Sequence, residues 1–298
     1  MNSPTFTVFT GCYNSSPFIH RIFDSLKNQT FKDFEWYVIN DGSVDNTSEL
    51  IKEYIKTVEF PIIFKDLKKN QGIKKNINQA IKEGNGKYYV SCGHDDALAY
   101  DALETFYNTF KKYDSPKISS VYALLEYENG KLVGKKIEKD ELVSNYWVEF
   151  YDKKNERDKI GCHKIRCLRE VYPIPTEKEK IQTGSWLWGK LAIKYDSVYI
   201  NKVLRTYYTV LTSITNTSDR TTNPLSVFNY HVTWVNEFQY HVKNKKRRLR
   251  GIGACVSHGL LAEKSIWNIL SRIEKKRNKL LCLLFYPIAL IYNYKNPE

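Results

Sequence analysis

The chain has 298 residues, enough for one large domain or two small ones. Hydrophobic residues make up 42% and charged residues 27%, with only 14 Gly and 9 Pro, which excludes a disordered, collagen-like or coiled-coil chain. The net charge of +13 favours anionic partners such as nucleotide phosphates, anionic lipid or nucleic acid, without choosing among them.

The six cysteines include no C-x-x-C pair, and Cys162, His163 and Cys167 lack the further ligands that a zinc site needs. Scattered thiols suit a reducing compartment. The opening MNSPTFTVFTGCYN has no basic stretch ahead of an apolar one. The expectation is a cytoplasmic chain without a signal peptide.

Phe6–Phe9 is a short β-rich run. Ser15-Ser16-Pro17 offers a helix start, and Ile19, Ile22, Phe23 and Leu26 share one helix face. Trp36–Ile39 is the next strand, ended by Asp41-Gly42-Ser43. Asn46 and Glu49 have the spacing of a capping box ahead of a helix with Leu50, Ile51, Tyr54, Ile55 and Val58 on its apolar face. Pro61–Phe64 reads as a third strand. A third helix carries Ile73, Ile77, Ala80 and Ile81, and Lys87–Cys92 is a fourth strand. Near-continuous apolar strands alternating with amphipathic helices predict an α/β fold, a mainly parallel sheet covered by helices on both faces. Ligands of such sheets sit beyond the carboxyl ends of the strands. Those ends are Thr10–Asn14, Asn40–Ser43, Asp66–Asn70 and Gly93–Asp96.

Ile118–Leu125 reads as a further strand, 126–160 as charged and turn-rich with a hairpin tip at Glu128–Lys131, Trp186–Ile193 as helical, and Ser197–Ile200 as a strand. From Pro224 onward the pattern is mostly helical. Lys243–Arg250 holds six Lys/Arg in eight residues, and Arg272–Lys279 holds five. The second stretch runs into Leu280–Tyr292, apolar but for Pro287 and too short to cross a bilayer. Region 243–298 is therefore expected either to lie on an anionic membrane surface or to dock on the main domain.

Asp95 and Asp96 are adjacent carboxylates at the ligand edge. A hard divalent cation would relieve their repulsion, and helix capping is the competing explanation. Asp41 can accept hydrogen bonds from a ligand or simply make a turn. Asn70–Lys75 opens a helix with lysines at a place suited to phosphate, or to solvent.

Taken in order, Phe9–Asn14, Leu26-x-x-Gln29-Thr30-Phe31-x-Asp33-Phe34-Glu35, Asn40–Thr47, Asn70-x-Gly72 with Asn78, and Gly86-x-Tyr88 leading to His94-Asp95-Asp96 resemble the N-terminal half of the family 2 glycosyltransferases. The likeness continues at Trp188–Tyr195, at Val203-Leu204-Arg205-x-Tyr207-Tyr208 and at Ser213, and carries little beyond about residue 220.

The resemblance implies a GT-A, Rossmann-like fold. Residues 1–220 would be the catalytic domain (a nucleotide-sugar half to about residue 100, an acceptor half from about 101), and 221–298 a helical C-terminal extension. It implies inverting transfer of a sugar from a nucleotide donor, usually UDP-linked, with Mn2+ or Mg2+. Thr10, Tyr13 and Asn14 would line the nucleotide pocket, with Asp41 on the base. Asn70, Gly72 and Lys74 would lie near the ribose or pyrophosphate. Asp95 would bind donor and metal, and Asp96 metal. Gly93 stands where the family carries the first Asp of D-x-D, and Gly184 where it offers the general base, leaving Glu177 and Glu179 as candidate bases. The family role implies surface-polysaccharide synthesis at the inner face of the cell membrane, on a glycan or lipid-linked glycan acceptor. Loss of the Gly184 carboxylate motivates a second reading, a nucleotide-sugar-binding protein without catalysis. Nucleic acid is not an expected partner, because no recognition motif accompanies the basic residues. A nucleotidyltransferase would want a Gly-rich phosphate loop where Gly11-Cys12-Tyr13-Asn14 stands.

Overall fold

A computed structural model describes residues 3–153, 158–176, 183–209 and 224–295, with the backbone alone for 183–185. The chain divides into two compact units: Met1–Asn145, Asn155–Ile174 and Lys194–Val210 form the first, and Tyr146–Lys154, Pro175–Ile193 and Leu211–Glu298 the second.

The first unit is built on β1 (Phe6–Cys12), β2 (Phe34–Asp41), β3 (Ile62–Leu67), β4 (Tyr88–Ser91), β5 (Ala97–Leu98), β6 (Ile118–Tyr127), β7 (Glu141–Ser144), β8 (Ile160–Lys164) and β9 (Asp196–Tyr207). The sheet order is β3-β2-β1-β4-β8-β6-β9-β5, with β7 also on β9. The β1–β4 half is parallel, as the apolar runs predict. The sheet as a whole is mixed, because β8 runs antiparallel to both β4 and β6. β9 pairs parallel with β6 and antiparallel with β5 and β7. β7 lies in the stretch 126–160 that reads as turn-rich, and β8 begins at its last residue. Their four and five residues alternate in burial or carry Lys and His, so they lack a strand's apolar signature.

Phe6, Val8 and Cys12 of β1 face Ile22, Phe23 and Leu26 of α1 (His20–Lys27) and Phe106 of α4 (Ala102–Lys112) in the main core. Glu35, buried in β2, accepts hydrogen bonds from Thr7 Oγ1 (2.6 Å), Asn85 N (2.6 Å) and Asn85 Nδ2 (3.0 Å). A buried carboxylate is tolerated only when satisfied in this way, and here it fixes the turn that enters β4. Helices α2 (Thr47–Ile55), α3 (Ile73–Glu83) and α5 (Ile165–Val171) complete the unit. The Asn46/Glu49 capping box does not form. Asn46 makes no side-chain cap bond, and Asp45 Oδ1 accepts from Thr47 N (3.1 Å) instead. The hairpin tip forms as predicted, with Tyr127 N on the Lys131 carbonyl (2.8 Å) and Gly130 at φ +74°.

The second unit is helical: a π-helical turn at Trp147–Asp152, α6 (Thr183–Lys194), α7 (Pro224–Asn236), a 3-10 turn at Phe238–His241, α8 (Lys245–Leu261), α9 (Ile266–Ser271) and α10 (Lys276–Lys295). Nearly all of α6 belongs here rather than to one domain running on to residue 220. Gly189 on α6 lies where a β-carbon would come within 2.8 Å of Trp147, and the Trp147 ring packs on Phe238 at 4.9 Å. Asp152 accepts from the amides of Lys243 (3.2 Å) and Asn244 (2.8 Å), which fixes the entry to α8.

Candidate active site

The carboxyl ends of β1 and β2 lie side by side, with Cys12 opposite Asn40. Beyond β1 the chain turns through Asn14, at φ +49°. Asn14 N donates to Ser43 Oγ (2.9 Å), and Asn14 Oδ1 accepts from Val44 N (3.0 Å). Ser15 N donates to Thr47 Oγ1 (2.8 Å) and Ser16 N to Asp45 Oδ2 (3.0 Å). Four bonds thus tie the loop after β1 to the loop after β2. Burial raises the Asp45 pKa, but the hydrogen bonds from Thr47 and Ser16 outweigh it and hold the carboxyl below its ordinary value.

The loop after β3 is held from below by Asp41. Its Oδ1 accepts from Gln71 N (2.7 Å) and its Oδ2 from Gly72 N (2.9 Å). Gly42, at φ +74°, sits so close to this loop that a β-carbon would stand 2.7 Å from Asn70 N. Only glycine meets both demands. Asp66 adds a second tie, accepting from Asn40 Nδ2 (2.8 Å) and Ser48 Oγ (2.6 Å).

The turn after β4 is the most constrained part of the site. Asp96 is fully buried. Its Oδ2 accepts from Arg205 Nε (2.8 Å) and Arg205 Nη2, and its Oδ1 from Tyr208 N (3.0 Å). Burial pushes its carboxyl up from the ordinary value, and the guanidinium pulls it back. The neighbouring Asp95 is partly exposed, and its carbonyl accepts from Arg21 Nη1 (3.0 Å). The Arg21 guanidinium also stacks on the Tyr208 ring at 4.1 Å. A β-carbon at Gly93 would stand 2.7 Å from Asp95 Oδ1 and 3.1 Å from Asp96 Oδ2. A third carboxylate there would have to displace the Asp95 side chain.

The residue resemblance put Asp96 beside Asp95 on a metal. In the structure both Asp96 oxygens accept from Arg205 and the Tyr208 amide, and Asp95 is the more open carboxylate of the pair. Thr10 is buried, and its hydroxyl accepts from Trp36 Nε1 (3.0 Å) within the core. Tyr13 is exposed, and its amide donates to Ser15 Oγ (3.0 Å). Asn70, Gly72 and Lys74 occupy the loop held by Asp41 and the first turn of α3. Glu177 and Glu179 lie outside the described residues. Arg205 and Arg21 were not singled out from sequence as site residues.

The family model described as glycosyl transferase family 2 matches residues 7–166, more than half the chain. The chain belongs to glycosyl transferase family 2. The family 2 match contains every strand-end residue above except Arg205 and Tyr208. The poly-beta-1,6-N-acetyl-D-glucosamine synthase of Staphylococcus epidermidis is 33% identical over 110 residues, 37% of this chain and 26% of that protein. The teichoic acid poly(glycerol phosphate) polymerase of the same organism is 32% identical over 108 residues, 36% of this chain and 15% of that protein. The chain thus spans about a quarter or less of these two relatives. Among solved structures, S. aureus TarS 1-349 in complex with UDP-GlcNAc matches with a TM-score of 0.66 at 15% identity, covering 99% of this chain and 92% of that one. The fold is the GT-A fold that the family 2 motifs imply.

Proposed function

We propose that this family 2 protein transfers a sugar, with inversion, from a UDP-linked donor to a glycan or lipid-linked glycan acceptor in surface-polysaccharide synthesis. The observation that carries the reading is the cradle itself. The loops after β1, β2 and β3 are locked to each other by Asp45 and Asp41, and the Asp96–Arg205 pair fixes the turn after β4 to the end of β9, leaving Asp95, Tyr13, Asn14 and Asn70 around them. A preorganised polar edge of this kind suits a nucleoside diphosphate. The bound UDP-GlcNAc of TarS and the polysaccharide product named for the staphylococcal synthase support the donor and the pathway class.

In this reading Tyr13 and Asn14 flank the nucleotide, and Asp41 acts by fixing the loop of Asn70 and Gly72. Lys74 places a cation near the diphosphate. Family 2 enzymes generally use a divalent metal. Among the described residues no three His, Cys, Asp or Glu side chains gather into a cage. Mg2+ is commonly held by one or two carboxylates with phosphate oxygens completing its shell, and the open Asp95 fits that role for Mg2+ or Mn2+. When bound, the cation would neutralise charge on the departing diphosphate.

The acceptor hydroxyl oxygen would attack the anomeric carbon, the bond from that carbon to the diphosphate oxygen would break, and a carboxylate would take the hydroxyl proton. Glu177 and Glu179 are the proposed bases. Replacing the true base by Gln should lower turnover by about 10²–10⁴-fold and leave UDP affinity unchanged, as read by donor consumption and calorimetry. Turnover equal to the parent's in both Glu177→Gln and Glu179→Gln would remove both from that role. The protein would work in the cytoplasm, against the inner face of the membrane, through region 243–298.

The deciding experiment is calorimetric binding of UDP, with GDP and dTDP as controls, first in Mn2+ and then in EDTA. UDP binding lost in EDTA supports both donor and metal. Binding indifferent to EDTA keeps the donor and removes the metal. No nucleotide binding would sink the transferase reading. Binding without donor consumption would favour the non-catalytic alternative.

A further inference from the structure

We infer that the outward face of α10 is a docking face for an anionic lipid surface, with the basic first turns of α8 and α10 gathered at one end of it. The inference deepens the membrane-side reading above by assigning it residues.

One side of α10 is committed to the second unit. Cys282 and Ala289 are buried, and Phe285 lies 3.4 Å from where a β-carbon on Gly253 would stand. Asn293 exchanges two hydrogen bonds with Ser257 (2.6 and 3.0 Å). The opposite side holds Leu280, Leu284, Pro287, Ile288, Ile291 and Tyr294, all exposed; Leu284, Ile288 and Ile291 are 60%, 58% and 57% accessible. This stripe runs about 21 Å along the axis, and α10 contains no Asp or Glu. None of the described helices is long and apolar enough to cross a membrane. An apolar stripe on a helix held against a protein body is suited to lying in the interface.

The charge pattern selects the occupant. Phe285 against Gly253 and Asn293 against Ser257 make α8 and α10 run in the same direction. The basic start of α8 and the Lys276–Lys279 start of α10 therefore share one end, although about thirty residues separate them in sequence. Lys275 sits over the Tyr240 ring, 3.7 Å from its centre, at that same end. Residues 243–298 hold thirteen Lys and Arg against three Glu, a net +10 of the chain's +13. A second copy of the chain would bring the same basic surface and no carboxylate on α10 to meet it. Anionic headgroups meet both the charge and the apolar stripe.

The test is co-sedimentation of the full chain with vesicles of phosphatidylglycerol and phosphatidylcholine, against vesicles of phosphatidylcholine alone. Preferential binding to the anionic vesicles is expected. Lys276→Gln and Arg277→Gln should each weaken it about fivefold. Leu284→Glu with Ile291→Glu should weaken it more than about tenfold, and because both side chains are exposed the melting temperature should hold. UDP affinity, measured on the same preparations, should not change, so a failed donor reading and a failed docking face give separate results. Equal binding to both vesicle types, or variants that bind like the parent, would overturn the inference. So would a dimer that the Leu284→Glu/Ile291→Glu variant splits into monomers on ultracentrifugation, because that gives the face to a second copy.

Discussion

At Gly93 a side chain would have to share the turn with two carboxylates, and Asp95 would have to move to admit it. The Asp95 and Asp96 carboxylates lie 2.7 and 3.1 Å from the missing β-carbon, and Arg205 Nη2 lies 3.6 Å from it. Restoring the family's aspartate with Gly93→Asp adds volume and a third negative charge beside Asp95 and Asp96. The expected outcome is a stability loss of about 1–3 kcal/mol by thermal melting, with weaker UDP binding in Mn2+. Tighter metal-dependent binding at an unchanged melting temperature would contradict this. Arg205 bears the opposite risk. Arg205→Met would leave Asp96 buried without its cation, at a cost of about 3–5 kcal/mol in denaturant unfolding. A nearly neutral result would mean that the Tyr208 amide alone satisfies Asp96.

At the scale of elements, the start of α2 shows how a capping role moved by one residue. Asn46 looks like the cap, yet Asp45 makes the bonds, because its carboxylate also reaches Ser16 across the β1 and β2 loops. Asp45→Ala should therefore cost about 1 kcal/mol and Asn46→Ala only a few tenths, as read by urea unfolding. Equal losses would return the cap to Asn46. The Asp45 pKa is lowered in the folded protein. Its contribution to stability is therefore present above the ordinary carboxylate value, near pH 4, and is lost as pH falls through the folded value. Unfolding measured from pH 6 to pH 3 should show a smaller acid loss for Asp45→Asn than for the parent.

At the scale of the whole molecule, α10 has two faces with different jobs. Deleting 280–298 would be the direct way to separate membrane contact from donor binding. The structure argues against that deletion, because Cys282 and Ala289 are buried and Asn293 holds Ser257. Truncation before Leu280 should lower the melting temperature and promote aggregation by exposing α8. Leu284→Glu with Ile291→Glu should do neither. A truncated chain that melts like the parent would show that α10 adds nothing to the stability of the second unit.

The parallel half of the sheet was legible because each of its strands and helices carries its own local signature: two-sided apolar runs in Phe6–Cys12 and Phe34–Asp41, and an apolar helix face in Ile22, Phe23 and Leu26. The motifs at those strand ends sit within about 90 residues and identified the family directly. β8, which makes the sheet mixed, was not legible, because a short strand buried between two others takes its identity from its neighbours. The division of labour between Asp95 and Asp96 was equally hidden. Two adjacent carboxylates look alike in sequence, and only the arrival of Arg205, more than a hundred residues later, decides which is buried and which stays open. The sequence by itself determined the fold class, the family and the edge of the sheet where chemistry belongs, since these follow from local periodicity and contiguous motifs. Tertiary structure alone decided which aspartate is free, which residue caps α2 and which face of α10 is bare, because each depends on a partner brought in from far along the chain.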